Sequence, residues 1–217
     1  MNTDRIRIKF CGITRPEDAA FACSLGVDAI GMIFVPDTPR YIGDRLDLIT
    51  AIDRACDPFV CRVAVLDRLS AFLRIPQRVF DAIQYYEDDL PRDTVVPFRR
   101  IRSLRNQDPT PCPGHDHAWH VDAMHAQLLG GTGRLGDWAY AARIRSADEL
   151  PVILAGGLRP DNVRNAIEAV HPYAVDVSSG IESVPSLKDM ALMTSFVREV
   201  NEALTAIDSV DRRRATS

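Results

Sequence analysis

Apolar residues along this chain gather into short runs, and the runs alternate with stretches of helical spacing. Runs that read as strands lie near residues 6–11, 28–35, 60–66, 79–85, 95–101, 118–122, 151–156 and 174–178. Helical patterns follow most of them, at Pro16–Leu25, Leu46–Ala55, Ser70–Ile75, Asp137–Ser146, Pro160–Val170 and Leu187–Ala206. Pro16 and Pro160 stand where a helix can begin, each followed by an acidic residue. Repeated alternation of strand and helix predicts a parallel sheet. Eight such units in one small α/β domain favour a closed (β/α)8 TIM barrel over an open doubly wound sheet. Two crossovers break the rhythm. Glu87 to Arg92 is too short for a full helix, and Asn106 to His117 carries Pro109, Pro111, Pro113 and Gly114, which cannot propagate one. The expected barrel spans residues 1–207, with the helices after strands 4 and 5 short or replaced by loops. An arginine-rich polar tail follows over 208–217.

Alternation along each strand then sorts side chains between the barrel interior and the surrounding helices. In Ile6 to Cys11 the apolar set is Ile6, Ile8 and Phe10, which leaves Arg7, Lys9 and Cys11 pointing inward. Cys11 ends that strand at the face where barrel enzymes place their chemistry. The Lys9 ammonium, two residues below, favours a thiolate, so the pair offers a base. A buried inert cysteine is the commoner reading of any isolated one, and Cys23, Cys56, Cys61 and Cys112 take it by default. Strand 6 turns His120 and Asp122 inward, and Asp122 at its end is a candidate acid. Strand 8 turns Asp176 and Ser178 inward. For either aspartate, a cap or a loop hydrogen bond stays equally open.

Two glycine turns close the barrel, Gly156–Gly157 after strand 7 and Ser178–Ser179–Gly180 after strand 8. Neighbouring strand–turn–helix units can aim backbone N–H groups at one anion, and loops after the last two barrel strands are a frequent phosphate site. Tight turns alone would also account for the glycines. Arg40 lies in the loop Pro36 to Tyr41, and arginine is the side chain best matched to a carboxylate. Without further information a surface arginine is its default reading. Four of the five histidines, His115, His117, His120 and His125, cluster near Cys112. Their spacing fits no structural zinc finger, so a solvated histidine loop is preferred to a metal site.

Composition narrows the partners. The chain has 217 residues, 46% hydrophobic, with a net charge of -4. No basic face is implied, so neither nucleic acid nor an anionic membrane is expected. Five cysteines form no C-x-x-C pair, the first ten residues hold no long apolar stretch, and no run approaches a membrane span. These features suggest a cytoplasmic protein with reduced thiols.

With these residues in hand, the chain resembles the phosphoribosylanthranilate isomerases of tryptophan biosynthesis. Lys9 to Ala19 is similar to the family's opening motif, and Gly26 to Phe34 with Thr38 to Ile42 to its second strand and loop. Gly130–Gly131–Thr132–Gly133 to Trp138 resembles its glycine loop. Leu154 to Leu158 with Pro160 to Val163, then Val175 to Glu182 with Lys188–Asp189, resemble its seventh and eighth units. The resemblance implies an Amadori rearrangement of N-(5-phosphoribosyl)anthranilate without metal or organic cofactor, by a monomer or homodimer. It implies that Asp122 protonates the ribose ring oxygen and that Cys11 removes the C2 proton. Arg40 would hold the anthranilate carboxylate, with Lys9, Gln84, Gly131 and Asp176 also lining the substrate site. Gly156, Gly157, Ser178, Ser179 and Gly180 would hold the phosphate. The chain departs from the family at Gln84–Tyr85–Tyr86–Glu87, where Gln-Leu-His-Gly is usual, and at Arg134 and Gly136. Segment Arg62 to Leu66 is matched loosely. Two alternatives follow from those departures: a related barrel isomerase acting on another phosphorylated aminosugar, or a non-catalytic phosphometabolite-binding protein.

Overall fold

The computed structural model describes residues 5–105, 114–123 and 138–215. Eight parallel strands close into a barrel in chain order: β1 (Arg7–Phe10), β2 (Ala29–Ile33), β3 (Cys61–Val65), β4 (Ala82–Tyr85), β5 (Arg99–Arg105), β6 (Ala118–Asp122), β7 (Val152–Ala155) and β8 (Ala174–Val177). The ring is sealed by β1 on β8, where Lys9 pairs with Asp176 in register. Around it run α1 (Pro16–Ser24), α2 (Leu46–Ala55), α3 (Trp138–Ala147), α4 (Val163–Val170) and α5 (Met190–Ala215). No helix is long and apolar enough to cross a membrane among the described residues.

The outward strand faces and the helices share one apolar core. In α4, Val163, Ala166, Ile167 and Val170 are all buried, the three-and-four spacing of a core-facing stripe. Phe10 of β1 meets Phe196 of α5 edge to face, with ring centroids 6.0 Å apart. Trp119 is fully buried, and its indole N–H donates to Asp148. Truncating Ile167 to alanine in this shell would cost about 2–5 kcal/mol.

The barrel interior is layered. Ile101, Ala118, Ile153 and Ala174, with Tyr173 against them, make an apolar floor. Above lies a polar layer of Lys9, Gln84, Ser103, His120 and Asp176, all buried. Alternation then carries Cys11, Tyr86, Arg105 and Asp122 to the C-terminal rim.

Four segments differ from the pattern reading. The fifth strand is Arg99–Arg105 rather than 95–101, because Pro97 cannot donate to a ladder. Ser70–Ile75 is not an α-helix; a 3-10 turn spans Leu69–Arg74, and Pro76 ends it. The α4 helix starts at Val163 rather than Pro160, since Asn162 holds the preceding loop by accepting from Arg159 N and donating to Gly157 O. Last, Leu187–Lys188 is not helical. It forms β10, paired antiparallel with β9 (Glu182–Val184). Asp189 then caps α5, its Oδ1 accepting from the N–H groups of Ala191 and Leu192 at 2.8 and 2.9 Å. That helix continues to Ala215, well beyond Ala206. It meets neither Gly nor Pro on the way.

Candidate active site

Cys11 follows β1, 6% exposed, with its N–H donated to Val177 O at 2.8 Å. Gly31 of β2 makes the space. A Cβ there would lie 2.9 Å from Cys11 Sγ and 3.2 Å from Lys9 Nζ. Lys9 and Asp176 form a buried ion pair at 3.0 Å. Burial opposes both charges, yet each is held by the other. The Asp176 carboxyl falls to about 2, with His120 helping, and the Lys9 ammonium is held above its ordinary value by Asp176 and Cys11. The Cys11 thiol shifts the other way from the expectation. Burial pushes it up, and the Lys9 and Lys188 cations only partly offset that. Burial also pushes the Cys56 and Cys61 thiols up to about 12 and about 11.

Arg40 is engaged more tightly than a surface arginine. Its Nε and Nη2 donate to the two carboxylate oxygens of Glu182 at 2.8 and 2.5 Å. Glu182 is 3% exposed at its side chain and is also bonded by Lys188 Nζ at 2.9 Å. Lys188 spends its other donors on Cys11 O at 2.7 Å and Ser178 O at 3.0 Å, tying β10 to the ends of β1 and β8. The hydrogen bonds from Arg40 and Lys188 outweigh burial and hold the Glu182 carboxyl below its usual range. Arg40 lies across Gly12, where a Cβ would meet its Cδ at 2.4 Å, and Gly12 adopts φ 71°. The Cys11 thiolate would favour the Arg40 charge. The guanidinium therefore faces the mouth with its Nη1 edge outside the Glu182 fork.

Asp122 ends β6 and is half-buried. Its register partner on β5 is Arg105, whose guanidinium stacks 4.9 Å from the centre of the Tyr86 ring. Burial first, then the charges of Asp122, Cys11 and Asp176, push the Tyr86 phenol up. The Tyr86 side chain is thus within electrostatic reach of all three groups, with the Arg105 guanidinium against its ring. Glu87 turns away. Its side chain is 71% exposed and lies 3.8 Å from Arg68. Gln84 is buried in the polar layer, donating to Ser103 at 3.2 Å.

The two glycine turns touch. Gly156 and Gly157 both hold positive φ, 94° and 67°. A Cβ on Gly180 would lie 1.9 Å from Leu158 O, so the turns approach to backbone contact. Gly157 and Ser179 are exposed, while Ser178 Oγ is buried without a partner among the described residues. The histidines disperse. His120 is inside the barrel, and His117 Nδ1 accepts from Arg100 N at 3.1 Å. No group of three or more His, Cys, Asp or Glu that could hold a metal occurs among the described residues. Gly131, Arg134, Gly136, Cys112 and His125 lie outside the described residues.

The pattern reading gave no role to Glu182, Lys188, Gly12 or Gly31. Glu182 and Lys188 belong to the Ile181–Glu182 and Lys188–Asp189 segments already singled out. Their partners Arg40 and Cys11 lie 142 and 177 positions away, so no local spacing links them.

A family model described as N-(5'phosphoribosyl)anthranilate (PRA) isomerase matches residues 8–199. A Geobacter metallireducens protein named N-(5'-phosphoribosyl)anthranilate isomerase is 40% identical over 206 residues, covering 89% of this chain and 98% of that one. The crystal structure of phosphoribosyl anthranilate isomerase from Thermotoga maritima superposes with a TM-score of 0.76 at 30% identity, covering 91% of this chain and 99% of that chain. A second solved phosphoribosyl anthranilate isomerase, in complex with reduced 1-(o-carboxyphenylamino)-1-deoxyribulose 5-phosphate, gives a TM-score of 0.71 at 29% identity, covering 91% and 99%.

Proposed function

The chain belongs to the N-(5'-phosphoribosyl)anthranilate isomerase family and is an isomerase of tryptophan biosynthesis; on that premise we propose that Asp122 and Cys11 are its acid and base. The reaction moves a proton from C2 to C1 of the phosphoribosyl unit. Asp122 donates a proton to the ribose ring oxygen, the C1–O bond breaks, and the anilino nitrogen supplies the electron pair that makes the iminium. The Cys11 thiolate takes the C2 proton, and the C2–H bonding pair left behind becomes the C1–C2 double bond and returns the iminium nitrogen to neutrality as an enolamine. Proton loss from the 2-hydroxyl and uptake at C1 give the ketone. A thiolate whose conjugate acid is held high by burial is a strong base once formed, and the adjacent iminium cation compensates its charge.

The observation that carries the assignment is geometric: Cys11 and Asp122 stand at the C-terminal ends of β1 and β6, each two residues beyond Lys9 and His120, which are bonded to the two oxygens of one carboxylate, Asp176, at 3.0 and 2.9 Å. Arg40, braced by Glu182, would offer its Nη1 edge to the anthranilate carboxylate. The touching Gly156–Gly157 and Ser178–Gly180 turns would take the phosphate, Ser178 Oγ supplying a donor. A solved Thermotoga maritima structure is of monomers generated from a dimeric phosphoribosylanthranilate isomerase, which supports a monomer or homodimer for this chain.

The test is steady-state fluorescence following loss of phosphoribosylanthranilate. Cys11→Ser and Asp122→Asn should each lower kcat by about 10²- to 10⁴-fold, the usual share of an acid or base. Turnover at the wild-type rate in either variant would remove that residue from its role.

A further inference from the structure

We infer that His120 is a positioning residue of this site, acting on Cys11 through Asp176 and Lys9. The inference rests on the assignment of Cys11 as the base. His120 is 3% exposed, one layer below the rim on the same strand as Asp122. Its Nε2 lies 2.9 Å from Asp176 Oδ2, while Asp176 Oδ1 takes Lys9 Nζ at 3.0 Å. On the far side, His120 Nδ1 lies 3.2 Å from Ser103 Oγ, which accepts from Gln84 Nε2 at 3.2 Å.

These contacts have one consistent direction. Gln84 donates to Ser103, which leaves the Ser103 hydrogen for Nδ1. A carboxylate can only accept, so Nε2 carries a hydrogen. Lys9 of β1 and His120 of β6 thereby donate to one anion, while Ser103 of β5 and Gln84 of β4 orient the imidazole behind it. Both Asp176 oxygens are held, and the carboxylate cannot rotate away from Lys9. The charge that Asp176 presents to Cys11 is shared between imidazole and ammonium. Without the imidazole, Asp176 would neutralise Lys9 more completely, and a thiolate beside it would be less favoured. The other charged or titratable groups around the site are Cys61 on β3, in register line with Lys9 through Ala29, Tyr86 and Arg105 after β4 and on β5, Asp122 on β6, and Arg40 and Lys188 near Cys11.

The chain is not a nucleophilic triad. Ser103 is 3% exposed, inside the barrel, and no substrate atom can reach it.

The experiment reads the thiol independently of turnover. Cys11 alkylation by iodoacetamide is followed across pH by mass spectrometry of its peptide, in wild type, His120→Leu and His120→Gln. Leucine removes the donor; glutamine can return an amide N–H near the Nε2 position. The His120→Leu midpoint should rise by at least about half a pH unit, roughly a threefold loss of thiolate at a fixed lower pH. The kcat/KM profile should move with it, KM changing little, and His120→Gln should recover most of the shift. A midpoint unmoved in His120→Leu, or a glutamine variant shifted as far as leucine, overturns the inference. Full turnover by Cys11→Ser instead overturns the base assignment, and with it the catalytic part of this proposal.

Discussion

Gly180→Ala tests the proposed phosphate role of the two touching turns through distance alone. Gly180 does not need a positive φ, so alanine brings no backbone strain of its own. Its Cβ, however, would stand 1.9 Å from Leu158 O and 2.9 Å from the Leu158 carbonyl carbon. Both atoms are backbone, so no rotamer change relieves the contact. Opening the gap from 1.9 Å to the 3.0 Å that real Cβ contacts need moves one turn against the other by about 1.1 Å. Misplacement on that scale costs on the order of 10²-fold where geometry holds the reacting groups. The phosphate is a handle away from the chemistry, so a fall in kcat/KM of about 10- to 100-fold is expected. Overpacking of this size should cost about 1–3 kcal/mol of stability, or roughly 2–4 °C in Tm per kcal/mol. Fluorescence kinetics and a melting curve on the same preparation separate the two effects. Gly114→Ala, whose Cβ would meet nothing within 4 Å among the described residues, is the silent control. A Gly180→Ala protein with lowered Tm but wild-type kcat/KM would show that the turns meet without holding substrate.

Three further outcomes follow from the same contacts. Glu182→Gln removes the anion shared by Arg40 and Lys188. It should cost about 3 kcal/mol of stability and raise KM roughly tenfold with less effect on kcat; a lower Tm with unchanged KM would confine Glu182 to the fold. Asp176 falls from 3.8 to about 2 on folding, so its stabilisation is present above pH 3.8 and lost as pH drops through 2. The stability gap between wild type and Asp176→Asn should be about 2 kcal/mol near neutrality and should shrink between pH 4 and 2 in urea titrations; a gap constant across that window contradicts the ion pair. Gly31→Ala would press a Cβ onto Cys11 Sγ at 2.9 Å and Cys11 Cα at 3.2 Å. It should cut kcat about tenfold with KM little changed, and wild-type kcat would mean that Cys11 has room to spare.

Strand parity is a local property, and it carried the reading of the barrel a long way. The inward set Lys9, His120, Asp122 and Asp176 required only the pleat and the ends of the runs, and the structure places Lys9, His120 and Asp176 in one hydrogen-bonded layer. Errors arose where an apolar run was the wrong guide. On β5 the inward positions Ile101, Ser103 and Arg105 are mostly polar, because they face the buried network and the mouth rather than a core. The run Val95 to Phe98 drew the boundary four residues too early. Cys11 departs from its sequence pattern for a different physical reason. The Lys9 neighbour lowers a thiol pKa in either environment, but burial cannot be read from a strand pattern, and in a packed barrel it is the larger effect. A third reason is closure. Arg40 and Glu182 are brought together by two separate loops after β2 and β8, and Gly12 matters only because Arg40 crosses it. In this barrel, parity decides which groups enter the interior. Loop packing then decides which of them are braced, and the braced groups, Arg40 by Glu182 and Asp176 by His120, set the charges around Cys11.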